Sequence, residues 1–445
     1  MSIVEKIKER SAVIAVAGLG YTGLPMALEI ARAGYKVYGI DPDRSKIASL
    51  LRKQSYLMDI RDEDLKEVIN EEEGLIPGND YACVALSDAL IICVPTPLDK
   101  NREPDPSFIR QVIEEALPYL KPQTLIILES TTYPGTTREL VSNVIEARRG
   151  WVAGEDFYVC YSPERINPGK DGISVKQTPK IIGGCTARCL EAGSALYGSF
   201  VETLVPVSST TLAETAKLLE NTFRSVNIAL INELTPLCER MGISIWEVLE
   251  AAATKPFGYM PFYPGPGVGG HCIPVDPLYL SWKSGKLGLP LHFVELADRV
   301  NQGMPGLILE RIQWLLQAEG KTLKGSKIIL SGIAYKKDID DIRESPALAL
   351  FVLLLEAGAI VQYCDPYIPS FKLGEMTYFS RTLQPSLLSS ADLVVVATDH
   401  SAVDYQGLAD AAPLVLDTRN ATKDCTRGRI AVLGKPYQHQ VRWGK

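Results

Sequence analysis

Six residues, Gly18-Leu19-Gly20-Tyr21-Thr22-Gly23, stand between a short β-branched run, Val13–Ala17, and a helix-like run at residues 24–33 that Gly34 closes. A GxGxxG sequence is informative only in that setting, between a strand and a helix. Each glycine then answers a separate steric demand. Gly18 permits the tight turn, Gly20 lets the backbone approach a pyrophosphate, and Gly23 allows the helix to pack closely on the strand. The free N–H groups at the helix start, around Tyr21 and Thr22, carry a partial positive charge suited to phosphates. A second strand, Lys36–Ile40, ends at Asp41. That is roughly 20 residues on, where a carboxylate accepts hydrogen bonds from an adenosine ribose. Such an acid repels a 2′-phosphate, so the reading is NAD rather than NADP, although basic Arg44 and Lys46 lie close by. A glycine turn with no ligand would need strand, helix and acid to agree by accident.

The alternation continues downstream. Residues 89–94, 124–128 and 157–161 read as strands, the pattern of a parallel sheet with crossover helices. Val94-Pro95-Thr96-Pro97 and Ser130-Thr131-Thr132 each follow one of them, where a doubly wound sheet places ligand-contacting loops. Taken alone, a proline turn and a helix cap explain these segments equally well. From about residue 212 to 253 the sequence is helical in period and poor in glycine, with a helix over 214–241. A Pro/Gly-rich loop, 256–277, interrupts before helical sequence resumes to about 317. Strand-like runs return at 327–332, 359–364, 393–397 and 414–417, with a helix at 346–357. The fold predicted is α/β: two Rossmann-like doubly wound domains joined by a central helical segment, divided at 1–210, 211–318 and 319–445. The last lacks an obvious second glycine fingerprint.

A chain of 445 residues is too long for one ordinary core. Its formal net charge of -7 argues against nucleic acid or an anionic membrane as the main partner. The charged first ten residues do not read as a signal peptide, and the apolar run around 347–355 is too short to span a bilayer. Nine cysteines, an odd number without paired spacing, favour reduced thiols and a cytoplasmic location. Four histidines with no CxxC or HxxxH pattern argue against a metal site.

Two further segments carry chemistry. Cys272 lies in Gly267-Val268-Gly269-Gly270-His271-Cys272-Ile273-Pro274-Val275-Asp276-Pro277, four residues before Asp276. Flanking glycines let a substrate come close, and a helix starting after the loop would bring Asp276 near the thiol. Most lone cysteines are buried and inert, and a thiol with a pKa near ~8.5 needs cationic or dipolar help to act as a nucleophile. The residue alone therefore leaves both readings open. Lys217, Asn221 and Arg224 share one helix face at i, i+4 and i+7. A solvated polar face is the ordinary reading, and a Lys–Asn pair stabilising an oxyanion or holding a carboxylate is the functional one.

Taken together, these segments resemble the UDP-glucose/GDP-mannose dehydrogenase family over essentially the whole chain. The matching stretches are 18–23, Val94 to Pro97, Ser130-Thr131, Ser162-Pro163-Glu164-Arg165, Glu214 to Asn221, Gly267 to Pro277, and Gly332 to Ser345 with Tyr335-Lys336-Lys337-Asp338 inside it. The resemblance implies an N-terminal NAD domain, a central helix used in homodimer contact, and a C-terminal UDP-sugar domain. It implies a four-electron oxidation of a sugar CH2OH to a carboxylate, with Cys272 carrying a thiohemiacetal and then a thioester. In that scheme Lys217 and Asn221 stabilise the oxyanion, Asp276 assists proton transfer or orients water, and Thr131 and Glu164 lie near the nicotinamide and the reacting centre. Arg343 falls among the cofactor contacts. Arg165, Asn167, Arg224, Phe262, Tyr263, Gly267, Lys336 (or Lys337) and Arg419 fall among the sugar-nucleotide contacts.

Two departures bear on the substrate. Where UDP-glucose enzymes commonly read PEFLxEG, this chain has Pro163-Glu164-Arg165-Ile166-Asn167-Pro168-Gly169, with Pro168 in place of the second acid. The loop 255–267 lacks the arginine that many members donate from a neighbouring subunit. Both look like the branch that oxidises UDP-N-acetylhexosamines for surface polysaccharides. Within it the loop looks closest to UDP-N-acetylglucosamine 6-dehydrogenases, with UDP-N-acetylmannosamine or UDP-glucose as alternatives. A two-electron alcohol dehydrogenase of the hydroxyacid type has no need of the Cys272 loop, and an NAD-binding scaffold would have no need of its reactive residues.

Overall fold

The computed structural model describes residues 1–70, 73–165 and 175–436. The chain forms two compact units, one of Met1–Glu220 with Leu278–Pro290, the other of Asn221–Pro277 with Leu291–Lys445.

The first unit is built on β1 (Val13–Ala17), β2 (Lys36–Ile40), β3 (Leu75–Gly78), β4 (Ala89–Ile92), β5 (Leu125–Leu128), β6 (Tyr158–Tyr161), β7 (Lys180–Gly184) and β8 (Leu204–Val207). They lie in the order β3-β2-β1-β4-β5-β6-β7-β8. Alternate side chains of one strand reach opposite faces, so Ile14 and Val16 enter one core and Ala15 and Ala17 the other. Both faces are thus covered, which explains why these strands read as continuous apolar runs. Strand order reverses between β1 and β4, so the segments after both strands leave the same edge of the sheet, where such folds bind ligands.

The parallel prediction holds from β1 to β6 but not beyond. β7 runs antiparallel to β6, with Cys160 opposite Gly184. A five-residue apolar strand reads the same in either direction, so nothing local in Lys180–Gly184 marks the reversal. The helix expected over 214–241 begins earlier, at Thr210, and ends at Arg240. Ser209 Oγ accepts the Leu212 N–H at 3.2 Å and caps it, a side-chain stop that two β-branched threonines had hidden from the helical period.

In the second unit, helix His292–Ala318 packs beside a five-stranded parallel sheet of β9 (Lys327–Ser331), β10 (Ile360–Cys364), β13 (Leu393–Val396), β14 (Val415–Asp417) and β15 (Ile430–Val432), ordered β10-β9-β13-β14-β15. β11 (Ser370–Leu373) and β12 (Met376–Phe379) form a separate antiparallel pair that the sequence reading did not anticipate. Helix Pro346–Glu356 starts where expected: Pro346 fits the first turn, and Ser345 Oγ accepts the Leu348 N–H at 3.3 Å. Among the described residues no helix is long and apolar enough to cross a membrane.

Candidate active site

In the first unit the glycine loop meets the three demands read from its sequence in three different ways. Gly18 has φ +91°, and a Cβ there would lie 2.6 Å from the Cys93 carbonyl oxygen. A Cβ on Gly23 would lie 1.8 Å from the Gly18 oxygen. Both glycines are required by the protein's own packing. Gly20 is not: a Cβ there meets nothing within 4 Å, so its backbone is open to an external group. Tyr21 packs partly buried on the core, and Thr22 makes no side-chain cap at the start of helix Gly23–Arg32, where the Leu24 N–H donates to the Gly20 carbonyl at 3.1 Å. Asp41 Oδ2 accepts the Leu19 N–H at 2.9 Å and Lys46 Nζ at 3.0 Å, and Oδ1 accepts the Asp43 N–H at 2.9 Å. Lys46 is therefore committed to Asp41, while Arg44 is exposed. These residues fit a dinucleotide: open space at Gly20 beside a helix start, and an acid where a ribose binds.

The loops after β4 and β5 are tied together. Ser130 Oγ donates to the Val94 carbonyl at 2.7 Å, and Thr96 Oγ1 donates to the Thr131 carbonyl at 2.6 Å. The Tyr279 hydroxyl donates to the Thr96 carbonyl, on the far side of Pro95 from Val94. Glu214, a matched motif residue to which the sequence reading gave no role, completes this corner. Its carboxyl accepts from Gly135 N at 2.5 Å, Thr137 N at 2.8 Å and Thr137 Oγ1 at 2.6 Å.

Burial pushes the Glu214 carboxyl up to about 7, against the downward pull of those hydrogen bonds. The folded chain then holds this proton more tightly than the unfolded chain, so the contribution to stability falls as pH rises from about 4.5 to about 7. Relative to Glu214→Gln, the native chain should lose about 3 kcal/mol across that window. Denaturant unfolding of both proteins at pH 5 and pH 7.5 checks this, and parallel pH dependences would refute it.

At the end of β6, Glu164 is half-buried, with Oε2 4.0 Å from Lys180 Nζ. Arg165, expected at the sugar nucleotide, grips Glu220 through Nη2 at 2.7 Å and Nε at 3.3 Å, and gives Nη1 to the Pro179 carbonyl. Asn167 lies outside the described residues. Lys217 is 7 % exposed, and no acid among the described residues pairs with it. A buried ammonium without an acid partner is costly in a fold that gains nothing else from it.

In the second unit Cys272 is half-buried, and its carbonyl accepts the Val275 and Asp276 N–H groups at 3.1 and 2.8 Å. The thiol residue thus sits in the turn that opens helix Asp276–Lys286. Asp276 is 1 % exposed and its Oδ2 accepts Asn221 Nδ2 at 2.5 Å. Asp276 and Asn221, predicted from separate motifs, are therefore joined directly. Arg224, predicted on the Lys217 and Asn221 face, is exposed.

Glycines of the thiol loop fit against the segment after β9. A Cβ on Gly269 or Gly270 would lie 2.6 or 2.7 Å from Tyr335. The Gly270 N–H donates to the Arg343 carbonyl at 2.9 Å, and Arg343 Nη2 lies 3.1 Å from His271 Nδ1 and 2.6 Å from Asp341. Gly267 has a packing reason of its own: φ is +128°, and a Cβ would meet the Asn301 carbonyl at 2.8 Å. Phe262 lies edge-on to Phe223, Tyr263 stacks on Trp246, and the Arg419 guanidinium lies against Gly265 while Nε pairs with Asp399 at 3.2 Å.

Gly332 repeats the turn made by Gly18. Gly18 N bonds the Ile40 carbonyl and Gly332 N the Cys364 carbonyl, both at 2.8 Å, and φ is +91° and +89°. Asp365 takes the place of Asp41 and accepts the Ile333 and Ala334 N–H groups at 2.7 and 3.0 Å. His400 Nε2 lies 3.0 Å from Asp365 Oδ2, and His400 Nδ1 accepts the Asp338 N–H at 3.0 Å, which leaves the ring proton on Nε2. This holds the Tyr335-Lys336-Lys337-Asp338 segment, in which Lys336 is half-buried and Lys337 exposed. The second fingerprint was hidden because it keeps one glycine of the three.

Fold and site define a dinucleotide-dependent oxidoreductase. Family models of the UDP-glucose/GDP-mannose dehydrogenases match the chain as an NAD binding domain at 12–201, a central domain at 211–303 and a UDP binding domain at 329–424. The UDP-N-acetyl-D-mannosamine dehydrogenase of Methanococcus maripaludis is 32% identical over 419 residues, covering 92% of each chain. The protein of the same description from Yersinia pestis is 35% identical over 403 residues, 87% of this chain and 93% of that one. A solved structure described as the UDP-D-ManNAc dehydrogenase of Pyrococcus horikoshii superposes with a TM-score of 0.87 at 32% identity, over 95% of this chain and 99% of that one. The chain belongs to the UDP-glucose/GDP-mannose dehydrogenase family and is an NAD-dependent UDP-sugar dehydrogenase.

Proposed function

We propose that this chain oxidises C6 of UDP-N-acetylmannosamine to the carboxylate, removing four electrons through a covalent adduct on Cys272. The observation that carries the mechanism is the thiol loop: Cys272 opens a helix whose first residue, buried Asp276, is bonded to Asn221 at 2.5 Å. Residues 1–210 would hold NAD through Gly18, Gly20, Tyr21, Thr22, Gly23, Asp41, Val94 to Thr96 and Ser130-Thr131. Residues 211–318 would supply the thiol, and 319–445 would hold the UDP group with Lys336 and Arg419. Bound NAD would supply the hydride acceptor for each of the two oxidations.

In this mechanism the Cys272 thiolate adds to the C6 aldehyde and forms a thiohemiacetal; its oxidation leaves a thioester, which water cleaves to the acid and the free thiol. Lys217 and Asn221 neutralise the oxyanion of each tetrahedral species. Asp276 and Glu164 hold or move the proton of the alcohol and of the attacking water.

For the sugar, the loop 255–267 points to UDP-N-acetylglucosamine, whereas the relatives at 32–35% identity are described as acting on UDP-N-acetylmannosamine. Agreement over most of the chain outweighs one loop, and the mannosamine epimer is the reading adopted. NADH formed per sugar on both epimers in parallel decides it. Two NADH per sugar are expected with UDP-N-acetylmannosamine; the same yield only with UDP-N-acetylglucosamine would reverse the choice, and one NADH per sugar would reject the four-electron chemistry.

A homodimer is part of the proposal. Phe223, Leu230 and Leu237 recur every seventh residue on helix Thr210–Arg240 and are about half exposed, at 48%, 51% and 51%, a stripe suited to a second copy. Leu230→Glu should convert a dimer to monomer in sedimentation, and a native monomer would remove the proposal. Nine cysteines without a disulfide support a reducing, cytoplasmic setting.

A further inference from the structure

At the ends of β5 and β7 lies a buried ion pair that the chemistry above does not use. Lys180 Nζ is 2.7 Å from Glu129 Oε2 and 3.1 Å from the Pro163 carbonyl oxygen, and the Tyr197 hydroxyl donates to the other Glu129 oxygen. The side chains of Lys180 and Glu129 are 1% and 0% exposed. Stability is a poor reason to keep such a pair, because well-packed apolar side chains often serve equally well or better. Burial pulls the Lys180 ammonium down, but Glu129 and Glu164 outweigh it and the net direction is up, while burial also pushes the Glu129 carboxyl up against the pull of Lys180.

An ammonium has three N–H donors. One goes to Glu129 and one to the Pro163 carbonyl, and Glu164 Oε2 is 4.0 Å away. Glu129 directly precedes Ser130, whose hydroxyl is fixed to the Val94 carbonyl at 2.7 Å. One cation therefore couples the loop carrying Ser130 and Thr131 to the loop carrying Glu164, which the alternating pattern alone places on separate strand ends.

We propose that Lys180, clamped by Glu129 and Tyr197, is a positioning residue that holds the Pro163-Glu164 backbone and so keeps the Glu164 carboxylate in its reacting orientation. This rests on the role given to Glu164 above. Displacing a reacting group by a fraction of a bond length can cost up to about 100-fold in rate.

The test is a mutant cycle on the full chain with NAD and UDP-N-acetylmannosamine. Lys180→Met with Glu129→Gln removes both charges together and avoids a stranded buried ion. It should keep Tm and the KM for NAD near native while kcat falls about 10- to 100-fold. Glu164→Gln alone should fall comparably, and Glu164→Gln added to the neutral pair should cost little more, because both act through one group. Lys180→Arg should recover part of the loss by restoring a donor to Pro163. Should the neutral pair not fold, Tyr197→Phe, which removes only a hydroxyl, should show a several-fold loss with the same non-additivity.

Native kcat in the neutral pair, or losses that multiply with Glu164→Gln, would overturn the inference and leave the role of Glu164 standing. Native kcat in Glu164→Gln would overturn both, while the stoichiometry of two NADH per sugar would still report on the thiol mechanism independently.

Discussion

Cys272→Ser is expected to lose turnover of UDP-N-acetylmannosamine by about three orders of magnitude or more, the scale seen when a covalent nucleophile is removed. Serine keeps the size and the loop, but its hydroxyl is not ionised at neutral pH and needs a base to attack a carbonyl. Several of the other thiols are poorly suited to replace it. Burial pushes Cys83 up to about 11 and Cys185 and Cys364 up to about 12, and raises Cys93 and Cys160 well above the usual range. The decisive measurement is steady-state NADH production with quantification of the uronic acid. Near-native acid formation by Cys272→Ser would eliminate the thioester route.

Lys217→Met is expected to lower kcat by about 10²- to 10³-fold with little change in the KM for NAD, the usual cost of removing an oxyanion donor from a water-excluded site. Methionine keeps much of the stem's volume, so packing changes little. The prediction rests on a lysine residue only 7% exposed, with no acid partner among the described residues. A Lys217→Met enzyme with native kcat and lower stability would make the lysine structural instead.

Where a residue's task is met by its own neighbours in sequence, the reading reached it. The glycines at 18 and 23 are constrained by one turn and one helix start, and Asp41 by the end of the adjacent strand. Asp276 was expected near Cys272 if a helix opened there, and the helix does open at Asp276. Where the partner is distant in sequence, the reading stopped. Lys180 meets Glu129, 51 residues away, and Arg165 meets Glu220, 55 residues away. Neither side chain carries a mark of its partner, so neither pairing was anticipated. The reversal of β7 and the β11–β12 pair failed for a related reason: apolar alternation records which face is buried, not which way the neighbouring strand runs.

Asp41 and Asp365 occupy equivalent corners of two sheets, yet their acceptor capacity is filled differently. A carboxylate offers roughly four lone-pair positions. Asp41 has three described donors, from Leu19, Asp43 and Lys46, and retains room for a hydroxyl. Asp365 receives Ile333, Ala334, Tyr367, Ile368 and His400, five donors in all. That corner is saturated, and a ribose arriving there would find no acceptor to bind. The chain therefore carries two versions of one glycine-turn-and-acid corner, and only the Asp41 version keeps acceptor capacity for an incoming hydroxyl.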